Sequence, residues 1–183
     1  MKIAFLMLCL VVFIGSQSVE YRIDKVRQYI YNNSTFSADI NERYAAVIYQ
    51  YSGDYGLEPM RIAKQVWTES RFKWYAYNSA GAYGPMQIRP KFWSHILYRV
   101  DDGKLAKMLL NSDKPEYKKY FMRIGYGVEA GCIIMAYLKK RNDYDYRMAL
   151  VEYWAGSSSE EYSKAKSSER YLTSLKYIQD IVE

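Results

Sequence analysis

The chain has 183 residues, 50% of them hydrophobic, with 26 Lys and Arg against 20 Asp and Glu and a formal net charge of +6. That length suits one domain, with a core large enough to need no disulfide staples. Its single histidine argues against a His-Cys or His-carboxylate metal cluster, and neither a metal nor a cofactor is expected.

Met1-Lys2, the apolar run Ile3 to Ile14 and then Gly15-Ser16-Gln17-Ser18 have the layout of a secretory signal peptide. The run is too short to span a bilayer comfortably. Small residues at Ser16 and Ser18 suggest cleavage after Ser18, which leaves residues 19–183 as one exported domain, periplasmic or extracellular. A retained signal is the competing reading and the one membrane attachment expected. Cys9 lies in the middle of the apolar run, so it does not read as a lipid-attachment cysteine. Without the leader Cys132 is the sole thiol, which excludes an internal disulfide. Its neighbours Val128, Ile133, Met135 and Ala136 suit a buried, inert thiol. A modestly basic exported chain is drawn to anionic surfaces such as cell-wall polymers. Export and the lack of a nucleic-acid motif argue against nucleic acid. Lys118-Lys119 and Lys139-Lys140-Arg141 read as solvated helix surface.

Apolar residues recur mainly at helical spacing, so an all-α domain is expected. Residues 19–54 form an N-terminal helical cover, in which Ser37 could cap a helix carrying Ile40, Tyr44, Val47, Ile48 and Tyr51, ended by Gly53 and Gly56. A helix follows over 59–70. Phe92 to Val100 and Lys104 to Leu110 suggest shorter ones, residues 127–141 and 146–154 the next pair, and about Ser168 to Val182 the last. Tyrosine is abundant, at 21 residues. Most of these are expected at the core edge, and a few in a cleft, where a ring offers a flat apolar face and a hydroxyl.

The helix over 59–70 carries the candidate chemistry. Pro59 suits its first turn, and Ile62, Val66 and Glu69 follow at i, i+4 and i+7, so an acid shares the apolar stripe. Burial disfavours the charged form, and Glu69 is expected to have a raised pKa suited to proton donation near neutral pH. A turn-rich segment, Asn78-Ser79-Ala80-Gly81-Ala82-Tyr83-Gly84-Pro85-Met86-Gln87-Ile88, comes next, and its glycines let backbone approach a ligand closely.

Glu69-Ser70-Arg71-Phe72 and the Ala80 to Ile88 turn resemble the catalytic core of the lytic transglycosylases, lysozyme-like enzymes that cleave bacterial cell-wall glycan. Two further segments resemble family landmarks in the same order. Ile124-Gly125-Tyr126-Gly127-Val128-Glu129-Ala130-Gly131 has Arg123 where Asn is usual. Tyr153-Trp154-Ala155-Gly156 has Glu152 for an Ala and Trp154 for an Asn. The resemblance covers about residues 55–160, and four weak motifs in order make a strong signal.

The resemblance implies a lysozyme-like fold and chemistry that needs one acid. Glu69 protonates the glycosidic oxygen, then takes the proton of the muramic acid C6 hydroxyl, which closes a 1,6-anhydro ring. Glycosidases of the two-carboxylate kind need a partner about 5–9.5 Å away, and the matched motifs offer none. By position, Gln87 and Met86 line the cleft, Tyr153 hydrogen-bonds near Glu69, and Asn78 stands where many members carry serine. Tyr83, Tyr126 and Trp154 are further candidate sugar contacts, and Tyr75 and Tyr77 weaker ones. Ser70, Gly84 and Gly156 are structural at the site. The implied partner is the peptidoglycan glycan strand, met by a monomer, with an envelope-spanning secretion, conjugation or phage-entry apparatus as a further candidate partner. A goose-type muramidase and a catalytically weak peptidoglycan-binding protein stay open as alternatives.

Overall fold

A computed structural model describes residues 20–100, 120–156 and 158–182. The leader with Cys9, the expected helix Lys104 to Leu110 and the Lys118-Lys119 pair lie outside these. The described residues form helices α1 (20–33), α2 (Ala38–Asp54), α3 (Pro59–Ser70), α4 (Pro90–Val100), α5 (Ile124–Arg141), α6 (Tyr146–Ala155), α7 (Glu160–Ser167), α8 (Glu169–Ser174) and α9 (Lys176–Val182). They include no named strand. Two isolated bridges, Tyr77 to Tyr83 and Tyr83 to Ile88, fold the segment between α3 and α4.

α5 is the centre of the packing, and its sequence explains why. Val128, Ala130, Cys132, Ile133, Ile134, Met135 and Leu138 are all buried, so it meets α2, α4 and α6 on different sides. Burial of the Cys132 thiol pushes its pKa up, which keeps it protonated and inert. Gly127 and Gly131 make the close approach on a fourth side. A Cβ at Gly131 would stand 2.1 Å from the Met86 sulfur, and one at Gly127 would stand 2.5 Å from Pro85 Cδ. The turn after α3 is thereby seated flush on the central helix.

Local capping decides most boundaries. Glu58 accepts from the backbone N–H groups of Met60 (3.0 Å) and Arg61 (2.8 Å), and Pro59 fills the first position of α3, where a missing N–H loses nothing. Asp145, Ser159 and Ser168 cap α6, α7 and α8 in the same way. Ser37 sits at the start of α2 but its hydroxyl makes no capping bond. Gly53 lies inside the last turn of that helix, and the left-handed Gly56 (φ 63°) makes the turn beyond it. The expected final helix is two, because Leu175 adopts an extended backbone (φ −70°, ψ 117°) between α8 and α9. α7 was not anticipated; its polar sequence buries only Ala165 and gives little apolar period to read.

Glu152, at 1% exposure, is the least expected core residue. Arg141 Nη1 lies 2.9 Å from its Oε1, Asn142 Nδ2 donates to its Oε2 at 2.8 Å, and Tyr162 in turn donates to Asn142 Oδ1 at 2.6 Å. Glu152 thus ties α6 to the end of α5 and to α7. Glu152→Ala is expected to lower stability by about 1–2 kcal/mol, because the partly exposed Arg141 can return to water. Urea denaturation measures it, and an unchanged midpoint would exclude the role.

Candidate active site

The end of α3 fixes the acid. Arg71 and Phe72 both turn left-handed (φ 57° and 59°), which ends the helix at Ser70. Phe72 is fully buried; Tyr44 from α2 donates to its carbonyl at 2.7 Å and packs edge-on against its ring. Ser70 donates to the Val66 carbonyl at 3.1 Å, the structural role expected of it. α3 packs on both α2 and α9, and Glu69 near its end meets α9.

α9 supplies the group in contact. The Tyr177 hydroxyl donates to Glu69 Oε1 at 2.5 Å. The Trp154 ring stacks on Tyr177, with centroids 5.7 Å apart and planes 18° from parallel. Trp154 is 44% exposed, so one aromatic pair runs from the acid to solvent. Its carbonyl accepts from Arg89 Nη2 at 3.4 Å, and the Arg89 guanidinium also bears on Glu69 electrostatically. Burial pushes the Glu69 carboxyl up to about 7, against the opposing pull of the Tyr177 hydrogen bond and of Arg89. Both Tyr177 and Tyr153 are raised well above the usual phenol range by burial and by the nearby Glu69 charge, so both remain neutral donors.

The glycine-rich turn is built by its own backbone. Tyr83 and Ile88 exchange N–H to carbonyl bonds at 2.9 Å each, and Gly84 donates to the Ala76 carbonyl at 2.8 Å. Gly84 has φ 75°, and a Cβ there would stand 1.9 Å from the Phe121 carbonyl oxygen. Gln87 is itself left-handed (φ 46°); its amide donates to the Gly84 carbonyl (3.1 Å) and accepts from Asn78 (3.0 Å). Asn78 also accepts from the Ala82 N–H at 3.1 Å. Gln87 and Asn78 therefore form one amide pair, with a donor and an acceptor site still free for a ligand.

Other expected residues stand elsewhere. Met86 is fully buried with its sulfur against Gly131, so its side chain is core and not a cleft wall. Tyr153 is 4% exposed and donates to the Met86 carbonyl at 2.6 Å, not to Glu69. It stacks on Trp93 and anchors the turn that carries Gln87. Tyr83 is buried under Tyr77, with ring centroids 5.1 Å apart. Tyr126 is 38% exposed and stacked on Tyr120 at 4.0 Å. Gly156 (φ 91°) lets the chain pass Phe92, whose ring atom would lie 3.3 Å from an added Cβ.

Sequence reasoning missed Tyr177 and Arg89. A signal for Tyr177 existed, since it precedes Ile181 by four residues and so shares a buried stripe, where a phenol must find a partner. Arg89 carries no such pattern.

The family model described as Transglycosylase SLT domain matches residues 46–172. No curated protein and no solved structure matches the chain.

Proposed function

The chain belongs to the SLT transglycosylase family, and from that membership we propose that it is an exported lytic transglycosylase cleaving the β-1,4 bond between N-acetylmuramic acid and N-acetylglucosamine in peptidoglycan. The observation that carries the proposal is Glu69, a carboxyl raised to about 7, hydrogen-bonded by a phenol and within the field of a guanidinium. An acid with that pKa is substantially protonated at neutral pH and is a competent base once ionised.

In the proposed reaction Glu69 gives its proton to the glycosidic oxygen as the bond to muramic acid C1 breaks. The carboxylate then removes the proton of the C6 hydroxyl while that oxygen bonds C1. The glycan is divided, a 1,6-anhydro end is formed, and Glu69 regains its proton without water being consumed. Tyr177 and Arg89 favour the charged carboxylate midway through this cycle. The Gln87 and Asn78 amides offer a donor and an acceptor to an N-acetyl group, and the exposed face of Trp154 offers a platform to a sugar. The leader-like first 18 residues support export, and with it a place in the cell envelope.

Mass spectrometry of muropeptides released from purified peptidoglycan tests the reading. Products lighter by one water than hydrolysed ones support it, and hydrated reducing ends would replace it with a muramidase.

The pH dependence follows from the acid. Cleavage begins with protonated Glu69, so its rate is expected to fall as pH rises through about 7. Tyr177→Phe removes a hydrogen bond that favours the carboxylate, which raises the Glu69 pKa and moves this falling limb to higher pH. The rate at the optimum should drop about tenfold, since a bond to a charged group is worth roughly 1.5 kcal/mol or more. A limb that stays in place in the Tyr177→Phe pH profile would exclude this role.

A further inference from the structure

α1, the start of α3, the end of α5 and the end of α9 enclose a cleft of about 800 Å³. It is distinct from the site of Glu69. Lys64 on α3 lines it five residues before the acid, about 140° around the helix, and Met60 lines it at about 180°.

Among the described residues that line it, five cations face one carboxylate. Arg22 and Lys25 of α1, Arg61 and Lys64 of α3 and Lys139 of α5 all line it. Among the described residues the ion pairs use other cations: Arg27, Arg141, Arg147 and Lys164. Glu58 is the one carboxylate in the lining, and both its oxygens are occupied in capping α3. Arg61 lies over the Tyr146 ring at 4.9 Å and Lys139 donates to the Gly56 carbonyl at 3.2 Å, so each has a neutral partner only. Arg61, Lys64 and Lys139 are also half-buried, which holds positive charge partly out of water. Apolar residues lie among them, the buried Leu57 and Ile181 at the floor and the half-buried Met60 and Val182 above, so the lining mixes charge with apolar surface.

We propose that this cleft is the docking site for an extended segment of a partner protein in which acidic and apolar side chains alternate. Charge complementarity selects the acidic residues, and the guanidinium forks of Arg22 and Arg61 match carboxylates in pairs. The apolar floor selects a peptide over a phosphodiester polymer, which brings charge but nothing to bury. An extended peptide places successive side chains on opposite sides, so one row reaches the floor while the other meets the cations. Because the cleft and Glu69 occupy different faces of α3, a docked segment leaves the glycan site open, and the inference stands whether or not the chain cleaves glycan. Ile181 and Val182 of α9 contact the same cleft, so the occupant rests on the helix that carries Tyr177.

Fluorescence anisotropy with a labelled peptide of alternating Glu and Leu, about eight residues long, tests the proposal on the full chain. Saturable binding is expected, weakening with added salt, unchanged by Glu69→Gln, and reduced about tenfold or more by Arg61→Gln with Lys64→Gln. Lys25→Glu, at an exposed position that cannot upset the core, should weaken binding as well. A peptide of alternating Glu and Ser should bind more weakly than the Leu version. Equal binding by all cleft variants, equal binding of the Ser peptide, stronger binding of a polyglycerol phosphate, or no binding would each overturn the proposal.

Discussion

Glu69→Gln is expected to abolish release of 1,6-anhydro products, by about a thousandfold or more, while leaving the fold intact. Glutamine is nearly isosteric and can still accept from Tyr177, so packing and the hydrogen bond survive while the transferable proton is lost. Removal of a single general acid costs about 10²–10⁴ in rate, and in the proposed reaction the same group is also the base for the second half. Product analysis by mass spectrometry reads the loss; residual rates within tenfold of the parent would move the acid role elsewhere. The substitution should also stabilise the protein at alkaline pH. The folded carboxyl titrates near 7 against 4.5 for the ordinary group. Between those values the folded state holds a proton that the unfolded state has released, so stability falls as pH rises through the window and the deficit is complete above 7. Each pKa unit corresponds to about 1.4 kcal/mol, and partial solvent access reduces the total to about 2 kcal/mol. Glu69→Gln should therefore exceed the parent by about 2 kcal/mol near pH 8 and match it near pH 4. A gain of the same size at both pH values would show that it arises from packing and not from the carboxyl.

Gly84→Ala is expected to destabilise the protein by about 3 kcal/mol and to lower activity with it. Two causes combine. The left-handed backbone costs an L-residue about 1 kcal/mol, and the new methyl would sit 1.9 Å from the Phe121 carbonyl oxygen, part of a main chain that cannot rotate away. Relief requires shifting the turn or the segment before α5, and overpacking of this kind costs about 1–3 kcal/mol. The Gly84 carbonyl accepts from both the backbone and the side chain of Gln87 (3.2 and 3.1 Å), so a shift there displaces the amide pair of the candidate site. Denaturant unfolding gives the stability and initial rates give the activity. A variant as stable as the parent would mean that the turn has room to move.

The fold was largely legible because the helices announce themselves. α3 matches its expected span, since Pro59 and a regular apolar stripe mark both its start and its face. Glu69 was legible for the same reason, as a carboxyl out of place on that stripe. The rest depended on tertiary partners. Met86 and Tyr153 sit in motifs, and a motif gives their order in the chain but not which way each side chain points; α5 has Gly131 where Met86 packs, so Met86 goes inward and Tyr153 follows its carbonyl. Tyr177 is 108 positions from Glu69, and pairing at that separation leaves no local trace. The break at Leu175 was hidden because the apolar residues on either side of it still read as one stripe.

The helix that completes the acid's surroundings lies beyond the end of the family match. That match stops at residue 172, before Tyr177, Ile178 and Ile181. Anyone trimming this protein to its domain boundaries would cut away the phenol against Glu69 and uncover the side of α3 that α9 now shields. Such a fragment would carry every recognisable motif and yet hold an acid bathed in water, with its pKa drifting toward that of any surface glutamate. The family signature and the residues that surround Glu69 therefore end at different positions, and the last turns of the chain belong to the second.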